Sequence, residues 1–146
     1  ISSIECVLRL FVNLIVSFIG HHIVHFLVPT IPLNGPKLHT TIINGILCEF
    51  LCGFALMMLV IYVSSPRTGL SSKIPSSVIA ALGIRIILLL EGGKFTGASM
   101  NPLWAIAWEF YRDTSDIKLP IHDQILYSLE FISVYIIAPT VGASFA

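Results

Sequence analysis

Read only for apolar and polar positions, the chain falls into four long apolar runs, with one short helical pattern between the third and the fourth. The runs lie at about 6–26, 41–63, 74–90 and 131–146. The second is the cleanest, 23 residues from Thr41 to Val63 with Glu49 as its one charged side chain. At roughly 1.5 Å of rise per residue a run of this length matches a ~30 Å hydrocarbon core. The short pattern, from Pro102 to about Tyr111, covers only roughly 15 Å on the same scale. Asn is a good N-cap and Pro is favoured at the first helical position, so Asn101-Pro102 predicts a helix start. The pattern predicts an all-α membrane protein with four transmembrane helices and one re-entrant half-helix, the re-entrant loop and half-helix occupying 92–111.

Irregular backbone at membrane depth is tolerated only where it packs in protein or lines a water-filled cavity. The stretch Gly92-Gly93-Lys94-Phe95-Thr96-Gly97 supplies a flexible descent, and Asn101 then lies near the midplane with the positive end of the half-helix dipole behind it. An amide there can donate a hydrogen bond to a permeant molecule while the dipole repels cations and protons. An ordinary Asn-Pro turn in a surface loop is the other reading of the same residues.

Composition sharpens the class. Apolar residues make up 55% of the chain and charged ones 11%, with a mean hydropathy of +0.91, far from the roughly 25% charged residues of an ordinary soluble domain. Eight basic and eight acidic residues cancel, which gives no footing for a nucleic-acid partner. The first residue is Ile, and no charged segment leads into a short apolar core and cleavage site. Together with a last run of 16 residues from Phe131, this reads as a fragment.

Several side chains stand out within the runs. Glu49 is costly in a membrane unless it faces protein or water, so it calls for a partner; a proton relay is the alternative use of such a carboxylate. His21, His22 and His25 cluster at the end of the first run, and His21 and His25 have the spacing of a helical metal pair. Without a third ligand they read as interfacial histidines. Cys48 and Cys52 share a helix face and read as small apolar packing residues, with no zinc-spaced His or carboxylate to follow, so no metal is expected. Arg85, in the third run, either lines a pore, pairs with Glu49 or Glu91, or snorkels to an interface. The linker through Arg67 and Lys73 is basic and that from Arg112 to Gln124 mildly acidic, which places the first on the cytoplasmic side. Ala138, Gly142 and Ala146 form a small-residue row suited to close helix packing.

The stretch Thr96-Gly97-Ala98-Ser99-Met100-Asn101-Pro102 resembles the second signature loop of the aquaporin, or major intrinsic protein, family. Ala105-Ile106-Ala107-Trp108, Lys94-Phe95-Thr96-Gly97 and Gly35-Pro36-Lys37-Leu38 are most similar to the plant small basic intrinsic proteins, and Val134 to Ala143 resembles the start of the family's last helix. The likeness runs in order over nearly the whole chain. It implies a fold of two inverted repeats whose two Asn-Pro loops meet, of which this chain carries one Asn-Pro, and hence a partial aquaporin-like fold lacking the first half.

The resemblance further implies a signature loop at Asn101, Pro102 and Leu103, and a structural brace at Glu49. It implies a constriction at Leu89, Ala98 and Trp104. Where family members usually carry Arg two residues after the signature Pro, this chain has Trp104; where Ala is usual it has Leu103. Loss of the Arg removes an electrostatic barrier, and an indole in its place either plugs the path or makes a dewetting constriction; packing against helices or lipid is the other reading of Trp104. A homo-tetramer and an endoplasmic-reticulum membrane are likewise implied by the resemblance.

These features lead to a passive channel subunit for water or a small neutral solute, with no cofactor and no nucleic-acid partner, its contacts being membrane lipid and the solute. The alternative is a non-conducting truncated membrane or assembly protein. No nucleophile, base and orienting group converge as an enzyme would need, and no nucleotide-binding motif supports an active pump.

Overall fold

The computed structural model describes residues 3–29, 36–65, 75–91, 95–97, 99–110 and 121–146. The chain is all-α. Helix α1 spans Ser3–Leu27, α2 Ile42–Ser64, α3 Ser76–Glu91 and the short α4 Pro102–Phe110. A last helical stretch follows, built of α5 (Ile121–Phe131), a π-helical turn (Ile132–Ile137) and α6 (Ala138–Ser144). Among the described residues, three segments are long and apolar enough to cross a membrane, Ser3–Leu27, Ile42–Ser64 and Leu126–Ser144, while α3 is a shorter apolar helix. The protein is an integral, multi-pass membrane protein.

Two differences from the apolar pattern have local causes. The last helical stretch starts at Ile121, ten residues ahead of Phe131, because its first turns are amphipathic rather than apolar and so escape a hydropathy reading. Its middle is widened into a π turn, in which the Ala138 N–H donates to the Ser133 carbonyl, five residues back. Pro139 follows directly. It has no N–H, and its ring crowds the carbonyl four residues earlier, which favours a wider turn just before it. The Thr140 hydroxyl donates to the Ile136 carbonyl at 2.6 Å and the Ser133 hydroxyl to that of Leu129 at 2.7 Å, supplying donors to carbonyls along the altered helix. Both linkers used to orient the chain, through Arg67 and Lys73 and from Arg112, lie largely outside the described residues.

Glycines allow α2 and the last helix to touch backbone to backbone. A Cβ on Gly53 would stand 2.6 Å from the Pro139 carbonyl oxygen, and one on Gly142 would collide with the backbone of Phe50. Ala138 and Gly142 are buried as the small-residue row predicts, whereas Ala146 lies exposed beyond the helix end. Among the described residues the core falls into two clusters. Ala105, Val134 and Tyr135 gather Leu38, Ile46, Phe131 and Ile136; Cys52 and Met100 gather Cys48, Leu56, Ile84, Ile87 and Leu88. The cysteines therefore pack as small core residues. Helix α1 stands apart, with only Ser17 and His21 buried among its described side chains, and it meets α4 through an edge-to-face pair, Phe18 with Phe110, at 5.2 Å.

Candidate functional site

The segment before α4 is held by a carboxylate that no solvent reaches. Glu49, on the inner face of α2, is fully buried. Its Oε1 accepts from the Thr96 hydroxyl at 2.7 Å and from the Ser99 N–H at 2.9 Å, and its Oε2 accepts from the Met100 N–H at 2.8 Å. A buried carboxylate is costly without partners, and charge-assisted bonds to backbone N–H groups are the strong kind. The backbone bends to meet it: Gly97 has φ +79° and Met100 φ +54°. Glycine takes that conformation without strain, whereas for Met100 it is an uncommon one that the bond to Glu49 holds in place.

Two further contacts fix the same stretch. The Tyr135 hydroxyl, from the π turn, donates to the Thr96 carbonyl at 3.0 Å. The His39 N–H, from the segment leading into α2, donates to the Phe95 carbonyl at 2.7 Å. Thr96 is thus gripped at its hydroxyl by α2 and at its carbonyl by the last helix, and it too is fully buried.

Helix α4 then starts as the Asn-Pro signal predicts. Asn101 Oδ1 accepts from the Leu103 N–H at 3.0 Å, and the Asn101 carbonyl accepts from Trp104 and Ala105, each at 3.1 Å. With its oxygen committed to the cap, the Asn101 amide nitrogen is the end available to donate elsewhere. Asn101 borders a cavity of about 330 Å³, together with backbone and side chains of Gly97, Ser99 and Met100 on one wall, Leu56, Ile84 and Leu88 on another, and Trp104, Ala105 and Trp108 along α4. Among the described residues no charged side chain lines it. A few hydrogen-bonding groups set in an apolar wall at a helix N-terminus suit an uncharged guest and disfavour a cation.

The structure brings some of the expected residues together and leaves others apart. Asn101, Pro102, Leu103 and Trp104 follow one another at the start of α4, and Glu49 lies beneath the loop that leads there. Leu89 does not join them: it is 68% exposed, while Leu88 and Ile84, on the neighbouring face of α3, line the cavity with Trp104. Counting back from the loop carries no register across residues 92–98, whose sequence shows no helical periodicity; one residue of slip on a helix turns a side chain by about 100°. Ala98 lies outside the described residues. Arg85 is exposed on α3, and the Glu49 carboxylate it was set against is turned to the loop instead.

The histidines divide. His22 and His25 are exposed, but His21 is buried against α4, where its ring meets Trp104 at 5.4 Å and Trp108 at 5.5 Å. It is therefore a packing residue between helices, not one closing a helix at an interface. Among the described residues no three His, Cys, Asp or Glu side chains gather as a metal site. The Tyr135 contact was outside the sequence reading; its one signal was Pro139, a proline inside an apolar helix.

A model of the major intrinsic protein family matches residues 1–146. Aquaporin-11 of Mus musculus is 29% identical over 105 residues, which cover 72% of this chain and 32% of that protein. The matched stretch thus spans about a third of that relative's length. No solved structure matches the chain.

Proposed function

The chain belongs to the major intrinsic protein family, whose members are channels and not enzymes, and from that premise we propose that it is a passive channel subunit for water or a small neutral solute. One observation carries the reading: a loop tied to a buried carboxylate delivers Asn101, at the head of α4, to the wall of a cavity that no charged side chain among the described residues lines. A fixed donor at a helix N-terminus stabilises a neutral hydrogen-bonding guest and opposes a cation, without a moving part.

In this reading Asn101 and Pro102 form the donor end, with Leu103 an apolar neighbour in place of a smaller residue. Glu49 is the brace. Trp104, with Leu88 and Ile84 opposite, forms the constriction, and it does so by size and dewetting rather than by charge. Asn-Pro occurs once in the chain, so in the family's two-loop pattern the facing loop lies outside these residues; the family resemblance separately implies a homo-oligomer, a tetramer. An endoplasmic-reticulum membrane rests on the likeness to plant small basic intrinsic proteins.

Stopped-flow shrinkage of vesicles tests the reading, comparing the natural chain, Trp104→Arg and empty vesicles at matched protein content. Water flux above the empty-vesicle level is expected for the natural chain. Baseline flux from both chains contradicts the proposal and favours a membrane protein that keeps the helices without a path.

A further inference from the structure

Helix α1 buries two of its described side chains, and both belong to one small construction facing α4. Ser17 donates its hydroxyl to the Asn13 carbonyl at 2.9 Å, and His21 Nδ1 donates to the Ser17 carbonyl at 2.8 Å. The second bond fixes the imidazole plane, and the ring so fixed is 6% exposed. It stands edge-on to Trp104, with an interplanar angle of 66°, and to Trp108, with one of 86°. Edge-to-face is one of the arrangements that aromatic pairs favour, so a ring fixed in place gives its neighbours a seat to rest against.

The space on the two sides of these indoles makes that hold consequential. In front lies the cavity of about 330 Å³ bordered by Asn101; behind, between α1 and α4, lies another of about 300 Å³, bordered by Gly20, His21 and Val24. Trp104 and Trp108 border both. They form a partition with room on each side, and packing alone does not decide where such a partition stands. Nothing adds a Cβ on the α1 side at Gly20, where a side chain would meet no atom within 4 Å. His21 is the aromatic side chain of α1 that touches both indoles.

We propose that His21 is the positioning residue for the Trp104 constriction: it props the indole toward the Asn101 cavity from behind and thereby sets the width of the path and the size of solute admitted. The proposal rests on reading Trp104 as the constriction. Shortening His21 merges its volume with the rear cavity and lets the indole fall back into it. A phenyl ring at the same place gives up the bond to Ser17 but fills the same volume and keeps the edge contacts that prop the indole.

The chain has two tryptophans, so Trp108→Phe leaves Trp104 as the single reporter. In that background the natural His21, His21→Ala and His21→Phe are compared in vesicles by two readouts. The first is the near-ultraviolet dichroism of the tryptophan band, which requires a ring held in an asymmetric setting; it should fall by about half or more in His21→Ala and be retained in His21→Phe. The second is the ratio of urea to water permeability, which should rise severalfold in His21→Ala alone. Far-ultraviolet dichroism identifies any variant that has lost its helices, and His21→Gln, which keeps a polar tip without the ring, then takes the place of His21→Ala. An unchanged tryptophan band in the helical Ala or Gln variant overturns the proposal. A lost band with an unchanged permeability ratio also overturns it, since His21 then positions the ring without governing the path. Baseline flux in every chain contradicts the channel reading itself, and the tryptophan band alone then decides whether His21 holds Trp104.

Discussion

The loop before α4 and the flank of α4 that faces α1 are neighbours, yet they are held by opposite means. The loop is bound by directional polar contacts: three to the buried Glu49 carboxylate and one from Tyr135, of which the Ser99 bond is half-buried and the other three buried. The flank is bound by ring edges, Phe18 with Phe110 and His21 with Trp104 and Trp108, beside a cavity. Hydrogen bonds to a buried charge have one good geometry and a steep penalty for leaving it. Aromatic contacts have several geometries of similar energy. The position of the Asn101 donor is therefore held rigidly, whereas the aperture beside it is set by packing that a single substitution can re-tune.

Breaking the polar side should have the largest effect. Glu49→Gln keeps the shape but turns an amide N–H₂ toward a backbone N–H and removes the charge from two other bonds. We expect a loss of about 4 kcal/mol, read as a lowered midpoint in detergent unfolding. The loop amides of Ser99 and Met100 should also lose their protection from hydrogen exchange. A shift of a few tenths would mean that the loop is held by its flanks and the contrast is false.

Next comes the backbone seat that brings the last helix to α2. Gly142→Val drives a branched side chain into the backbone of Phe50, which cannot yield as a side chain would. A cost of about 3 kcal/mol is expected, with loss of folded protein in detergent as the measure. Tyr135→Phe deletes one hydrogen bond and leaves the Thr96 carbonyl without it. The expected loss is about 1 kcal/mol, with faster exchange confined to the loop amides. The smallest effect should fall on the aromatic side: Phe18→Leu keeps most apolar area and removes only the edge contact to Phe110, about 0.5 kcal/mol in thermal unfolding. An effect there as large as that of Glu49→Gln would erase the distinction between the two regions.

How far these regions were legible in the sequence follows the same division. Glu49 stood out because a charge inside an apolar run demands a partner, and Asn101-Pro102 because cap and proline chemistry is local. The last helix extends ten residues ahead of the apolar run that begins at Phe131 because hydropathy does not see an amphipathic entry at Ile121, and its π turn was invisible apart from Pro139. Leu89, expected at the constriction, is exposed while Leu88 and Ile84 line the cavity, because no sequence periodicity runs through residues 92–98 to carry the register. His21 was grouped with His22 and His25 by sequence proximity, although only the face turned toward α4 distinguishes it. Contacts that depend on which way a helix is rotated were the ones the sequence withheld.

The brace and the conducting path are linked: without Glu49 to hold the loop, Asn101 is not presented to the path. The decisive measurement is water flux by stopped-flow in vesicles carrying the natural chain or Glu49→Gln, at equal protein content, against empty vesicles. Flux above baseline is expected for the natural chain, and baseline flux for Glu49→Gln. A natural chain at baseline, or a Glu49→Gln chain that conducts as well as the natural one, contradicts that link.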